Sequence, residues 1–149
     1  VPKMCVEAAQ MMASALRRWG ATDEDMPLTK KGKPYKGGYA HHPCTVWAGD
    51  SWANLDWLGS HAIALCIEYK TRFGKEHACW QPIVHMNSLA LTPRFFNDAD
   101  KLTDFAQAMP DEHRNPCAVT AYRSYYHSKT FAKWEKGTPA PDWWQGVKA

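Results

Sequence analysis

The sequence lacks the short spacings that usually announce a metal, a nucleotide cofactor or a disulfide framework. It contains no CxxC pair, and its five cysteines (Cys5, Cys44, Cys66, Cys79, Cys117) are odd in number and widely scattered. That pattern argues for reduced thiols rather than a disulfide scaffold or a thiolate zinc knuckle. No HExxH or His-x-His pattern organises the seven histidines, and His77 with Cys79 is too short a motif to define a site. Neither a GxGxxG nor a Walker loop is present, so no tightly held nucleotide is expected, and no metal or cofactor is predicted. No run approaches the roughly 20 apolar residues that span a bilayer, and no charged-then-apolar leader precedes a small-residue cleavage site. The chain is therefore expected neither to cross a membrane nor to be exported. Charge of one sign is also scarce: 18 Lys and Arg stand against 15 Asp and Glu, a net charge of +3 that permits polyanion binding without demanding it.

What the 149 residues do hold is apolar and aromatic mass. With 45% apolar residues, eight Trp, six Tyr and five Phe, the chain is too rich in core-forming side chains to be disordered. It opens at Val1, without an initiator Met, and is at once helical in pattern, which predicts a further segment upstream.

From Lys3 to Trp19, Met4, Ala8, Met11, Met12, Ala15, Leu16 and Trp19 recur at three and four residues, predicting a helix with one buried stripe and a stop at Gly20. The opposite face carries Lys3, Glu7, Gln10, Ser14 and Arg17. Residues 21–39 hold Gly, Pro and four Lys (Lys30, Lys31, Lys33, Lys36) and read as a surface loop or short hairpin outside any core, its lysines solvated or set against phosphates. His41-His42-Pro43 leads into a second helix of more than 20 residues, capped by Asp50 or Ser51 and stopped by Gly74. Its centre, His61 to Ile67, is apolar on nearly all sides, which predicts a position in the middle of the domain. The stretch from Lys75 to Lys101 reads as irregular, with at most one short helix. Asn115-Pro116 is expected to start a third long helix reaching Lys133-Trp134 and ending near Gly137. These readings predict one mostly helical domain over 1–149, with about three main helices, long irregular connections and little or no sheet. Residues 138–149 are expected to form an extended tail whose paired Trp143 and Trp144 fold back.

Two constellations carry chemistry. In the second helix, Ser51, Asn54, Leu58, His61, Leu65, Glu68 and Arg72 share a three-four seam, so polar groups line an apolar helix. Buried polar groups must be paired, so this seam either forms a structural network with the polar face of the first helix or faces it across a cleft. Glu7 is the carboxylate placed to act there as acid, base or stabiliser of a developing cation, or else to pair with Lys3 one turn away. On the third helix, Tyr122, Arg123, Tyr125, Tyr126, Lys129, Lys133 and Trp134 interleave rings with cations, which suits phosphate contact and base stacking. If Tyr122 and Tyr126 pack inward, only the cations remain exposed.

Several strings together carry a resemblance: Lys3-Met4-x-x-Glu7-x-x-Gln10-Met11, His42-Pro43-x-x-x-Trp47-x-x-x-Ser51-x-x-Asn54-x-x-Trp57-Leu58, Glu68-Tyr69-x-x-Arg72-Phe73-Gly74-Lys75-x-His77, Ala106-Gln107-Ala108-Met109-Pro110 and Tyr122-Arg123-x-Tyr125-Tyr126. Over almost the whole chain they resemble a group of small phage-encoded proteins described as similar to the pyrimidine-dimer DNA glycosylase (endonuclease V) family. The resemblance implies base excision at damaged or modified pyrimidines: an N-terminal amine forms an imine with the sugar C1′, and Glu7 stabilises the sugar cation. The relatives carry further residues before this point, where that amine would lie. No metal or cofactor would be needed. Lys3, Gln10, Arg17, Arg18, His42, Ser51 and Asn54 are the DNA contacts expected in the first part of the chain. Arg72, Lys75, Tyr122, Arg123, Tyr125, Lys129, Lys133 and Trp134 are those expected beyond it. The place of action would be the cytoplasm of the infected host cell. The rival expectation is a non-enzymatic phage structural or host-takeover protein that binds nucleic acid or a host protein.

Overall fold

The computed structural model describes residues 1–132, 134 and 137–145. Among these residues are five α-helices: α1 (Pro2–Arg18), α2 (Pro43–Asp50), α3 (Trp52–Phe73), α4 (Trp80–Ala90) and α5 (Ala118–His127), with one turn of 3-10 helix at Asp111–His113. No strand occurs among the described residues; one isolated bridge pairs Leu28 with Pro34. The protein is mostly α, as the periodicity predicts. Contacts divide it into two units, Val1–Thr103 and Asp104–Ala149, and each is described by itself.

In the first unit α1 is the central helix. Pro2 sits in its first turn, where a missing N–H costs nothing, and Arg17 and Arg18 complement the dipole in its last. Eight of its 17 residues are buried, and it packs against α2, α3 and α4. The innermost side chains are Met12, Leu16, Leu55, Ile83 and Met86, where truncation to Ala would cost about 2–5 kcal/mol.

Helix α3 has the predicted ends. Ser51 Oγ accepts from the Asn54 N–H at 3.0 Å, and Gly74, at φ 71°, closes the helix in the left-handed conformation that glycine adopts without strain. Its expected place in the middle of the domain is corrected. Only six of its 22 residues are buried, and Ala64 and Ile67 face outward, because α1 with its small alanines takes the central place.

Two helices, α2 and α5, also differ from expectation in their bounds. His41-His42-Pro43 begins a separate helix, α2, with Pro43 at its first position; His42 Nδ1 caps it by accepting from the Cys44 N–H at 3.0 Å. The one short helix allowed for between Lys75 and Lys101 is α4, and its Pro82 lies in the first turn, where backbone N–H groups lack helical partners anyway. The third long helix is only ten residues. Asn115 Oδ1 accepts from the Cys117 N–H, delaying the start to Ala118, and the Ser128 hydroxyl donates back to the Tyr125 carbonyl at the end.

Residues 26–38 form a strap. A tight turn joins the Thr29 N–H to the Lys33 carbonyl at 2.7 Å and the Tyr35 N–H to the Pro27 carbonyl at 2.9 Å. The expectation that no core would accept this stretch fails at Met26 and Tyr35, which are 4% and 7% exposed.

Candidate functional site

The strap explains the fate of the polar face of α1. Ser14 Oγ donates to the Gly38 carbonyl at 2.7 Å and accepts from its N–H at 2.9 Å. Arg17 donates twice to the Tyr35 carbonyl, through Nε at 3.2 Å and Nη2 at 2.7 Å, and pairs with Asp23 at 2.8 Å. Gln10 lies beside Gly38. Toward the start of the helix, Lys3 and Glu7 form an i,i+4 pair at 3.9 Å, with the lysine side chain 83% exposed and the carboxylate 20%. Arg18 bonds the Val46 carbonyl and Asp50.

The seam of α3 is satisfied elsewhere. Asn54 is fully buried; its Nδ2 donates to the Trp47 carbonyl and to Thr103 Oγ1, both at 2.8 Å, and its Oδ1 accepts from the Thr103 N–H at 2.9 Å. Ser51 is the cap. His61 stacks on Trp57 with ring centres 5.2 Å apart, and burial lowers its pKa. Arg72 bonds Glu68 at 2.7 Å, while Lys75 is exposed. Among the described residues no hydrogen bond or ion pair joins this seam to Lys3, Glu7 or Gln10. The cleft expected between the two stripes is thus not what these contacts build. Ser51 and Asn54, expected at DNA, serve as a cap and an interior lock, and His42 caps α2.

In the second unit the rings and cations do come together. Lys129 Nζ lies 4.1 Å from the Tyr125 ring centre, 5.4 Å from that of Phe131 and 5.9 Å from that of Tyr126. Arg123 stacks over Trp143 at 5.4 Å, and His127 meets both Trp143 and Trp144, so the paired tryptophans pack against α5. Tyr126 is 40% and Phe131 72% exposed. Tyr122 departs from its expected role: its hydroxyl donates to the Ala106 carbonyl at 2.7 Å and accepts from the Ala108 N–H at 3.2 Å, tying the preceding segment to α5. Trp134 is half-buried against Trp144, and Lys133 lies outside the described residues. From His113 to Trp134 the sequence contains no Asp or Glu, a signal that marks this surface better than the net charge of the chain does.

A further cluster was hidden from any local motif. Cys5, Cys66 and His77, all buried, place their Sγ and ring nitrogen atoms within 4.8 Å of one another. Burial pushes the Cys5 thiol up and the Cys66 thiol up to about 12, so both stay protonated and inert as free thiols. No family model, no curated protein and no solved structure matches this chain.

Proposed function

We propose that this chain is a DNA-binding protein of phage origin and that it holds the nucleic acid on α5 and the turn that follows. The observation that carries this reading is the Lys129 ammonium set among three rings, two of them well exposed, on a stretch with no acidic residue. Cations draw in phosphates, and exposed ring faces stack on bases of any sequence, at about 1–3 kcal/mol per base. No Asp or Glu interrupts the chain from His113 to Trp134, so no acidic side chain of that stretch opposes the attraction. Such a surface favours single-stranded or distorted DNA, whose bases are free to stack, over intact duplex.

The test is fluorescence anisotropy with labelled single-stranded, mismatched and fully paired oligonucleotides. Single-stranded and mismatched DNA should bind more tightly than duplex, and Phe131→Ala or Tyr125→Ala should weaken those two by roughly tenfold while changing duplex affinity little. Equal affinity for all three, unaltered by either substitution, would refute the stacking surface.

A finer reading, base-excision glycosylase and lyase, is favoured by one feature of the first unit: Glu7 is a half-buried carboxylate beside a cation at the start of α1. A carboxylate so held can stabilise a developing sugar cation. Borohydride should then trap a covalent adduct of the full-length protein on ultraviolet-irradiated duplex, and Glu7→Gln should abolish strand cleavage while sparing binding. Binding without a trapped adduct on any damaged substrate leaves a non-enzymatic phage protein, and capture of a host protein from infected cells would identify its partner.

A further inference from the structure

The first unit brings two thiols and an imidazole together in its driest place. Cys5 and Cys66 are 0% and 2% exposed and His77 is 8%. They arrive from α1, from α3 and from the connection before α4, so none shares a local motif with another, yet their donor atoms converge within 4.8 Å. A buried thiol alone is a small apolar filler. Two thiols meeting an imidazole are a donor set.

Both ring nitrogens of His77 are held by backbone groups. His77 Nδ1 accepts from the Cys79 N–H at 2.9 Å, while Nε2 lies 3.1 Å from the Pro2 carbonyl. A backbone N–H can only donate and a carbonyl can only accept, so the proton sits on Nε2 and the lone pair on Nδ1. An Nε2–H donated to a backbone carbonyl is the outer hydrogen bond that orients metal-bound imidazoles. The Tyr69 ring, edge-on at 4.7 Å, fixes the plane of the imidazole. Two residues on, Cys79 Sγ is 3.9 Å from the Tyr35 hydroxyl, and its charge would be felt by both Cys5 and Cys66.

We propose that Cys5, Cys66, Cys79 and His77 Nδ1 bind one zinc ion as a closed structural site that ties α1, α3 and the start of α4 together. Four protein donors leave no open position, which separates a structural zinc from a catalytic one. A tetrahedral site with zinc–sulfur distances near 2.3 Å puts donors about 3.8 Å apart, so the three converged donors draw in by up to about 1 Å. Cys79 turns in from Tyr35, and Nδ1 gives up the Cys79 N–H while Nε2–H keeps the Pro2 carbonyl. The balance is one Zn²⁺ taken up, three thiol protons released to solvent and one excess negative charge left in the core. The lone pairs of three thiolates and one imidazole suit zinc better than the hard cations magnesium or calcium.

The experiment uses the full chain, purified under reducing conditions. Metal analysis should find about one zinc per chain. After chelation, added Co²⁺ should produce the thiolate charge-transfer absorption and intense visible bands of tetrahedral cobalt, and added zinc should raise the unfolding temperature. Cys5→Ser and Cys66→Ser should each lose the cobalt spectrum, whereas Cys44→Ser and Cys117→Ser should keep it. Should a serine variant fail to fold, the cobalt titration of the unaltered chain decides alone. A folded, fully reduced chain that retains no zinc and gives no thiolate–cobalt absorption overturns the proposal. A spectrum that survives Cys66→Ser, or a Cys5–Cys66 disulfide in the protein as isolated, overturns it equally.

Discussion

Asn54 offers the sharpest test of how the first unit is held together. Its amide is fully buried and joins α2, α3 and Thr103 through three hydrogen bonds of 2.8–2.9 Å. Replacement by Ala takes one hydrogen bond from the Trp47 carbonyl, at about 1–1.5 kcal/mol. Thr103 is exposed, so its freed N–H and hydroxyl can turn to water, and losing those two bonds adds only about 0.5–1 kcal/mol each. The expected sum is about 3 kcal/mol, which for a unit of this size lowers the unfolding temperature by roughly 12–24 °C. Asn54→Asp adds a second signature. Its carboxylate still accepts from the Thr103 N–H but offers the Trp47 carbonyl a negative charge, so the variant should be weaker than Asn54→Ala at neutral pH. It should recover part of the loss in acid, where a protonated carboxyl donates again. Calorimetry at several pH values reads both effects. An Asn54→Ala protein within about 0.5 kcal/mol of the unaltered chain, or an Asp variant whose deficit ignores pH, would refute this assignment.

Other outcomes follow from particular contacts. Gly37 has φ 97°, and a Cβ there would lie within 3.0 Å of the Ser14 backbone, so Gly37→Ala should lift the strap from α1 and make the chain near Lys33 readily cleaved in limited proteolysis; resistance equal to that of the unaltered protein contradicts it. The Arg94 guanidinium, 2.8 Å away, together with the Thr22 N–H and hydroxyl, holds the Asp25 carboxyl at about 2, below its ordinary 3.8. Its contribution to stability is complete above the ordinary value and disappears as the pH falls from there through about 2. Arg94→Ala should therefore make acid unfolding less steep in that window, and an unchanged acid profile would count against the pairing. Cys117 is exposed, and hydrogen bonds from Thr120 pull its pKa down, whereas burial pushes Cys5, Cys66 and Cys79 up. Under mild alkylation of the folded protein, mass mapping should find Cys117 modified well before those three; comparable rates would show that the interior opens.

The sequence was most readable where one physical signal dominates. A three-four apolar stripe and a glycine stop delimit α1, and Ser51 with Gly74 delimit α3, because caps and left-handed exits are local chemistry. The polar seam of α3 was visible too, but its partners were not. Asn54 bonds Thr103, 49 residues away, and nothing in the spacing says so. Helix α2 is only two turns, too short for a period to emerge, and its cap is a histidine rather than one of the usual short polar residues. At His77 a ring nitrogen likewise accepts from the N–H two residues on, but that N–H belongs to Cys79, the residue before α4, so the bond caps no helix. The ring and cation pattern of α5 was legible, yet Tyr122 turned to backbone groups that only tertiary structure brings near. The cysteine cluster was invisible, since its members approach only when three elements pack.

The most direct test of DNA binding on α5 is the salt dependence of affinity. Binding of a labelled single strand would be measured from low to moderate salt for the unaltered chain, for Arg123→Ala and for Lys129→Ala. Each phosphate contact contributes roughly 0.7 to the slope of log affinity against log salt on single strands. The unaltered chain should show a clear negative slope, and each substitution should make it shallower by about that amount. Affinity that ignores salt, or a slope identical in all three proteins, would contradict the account.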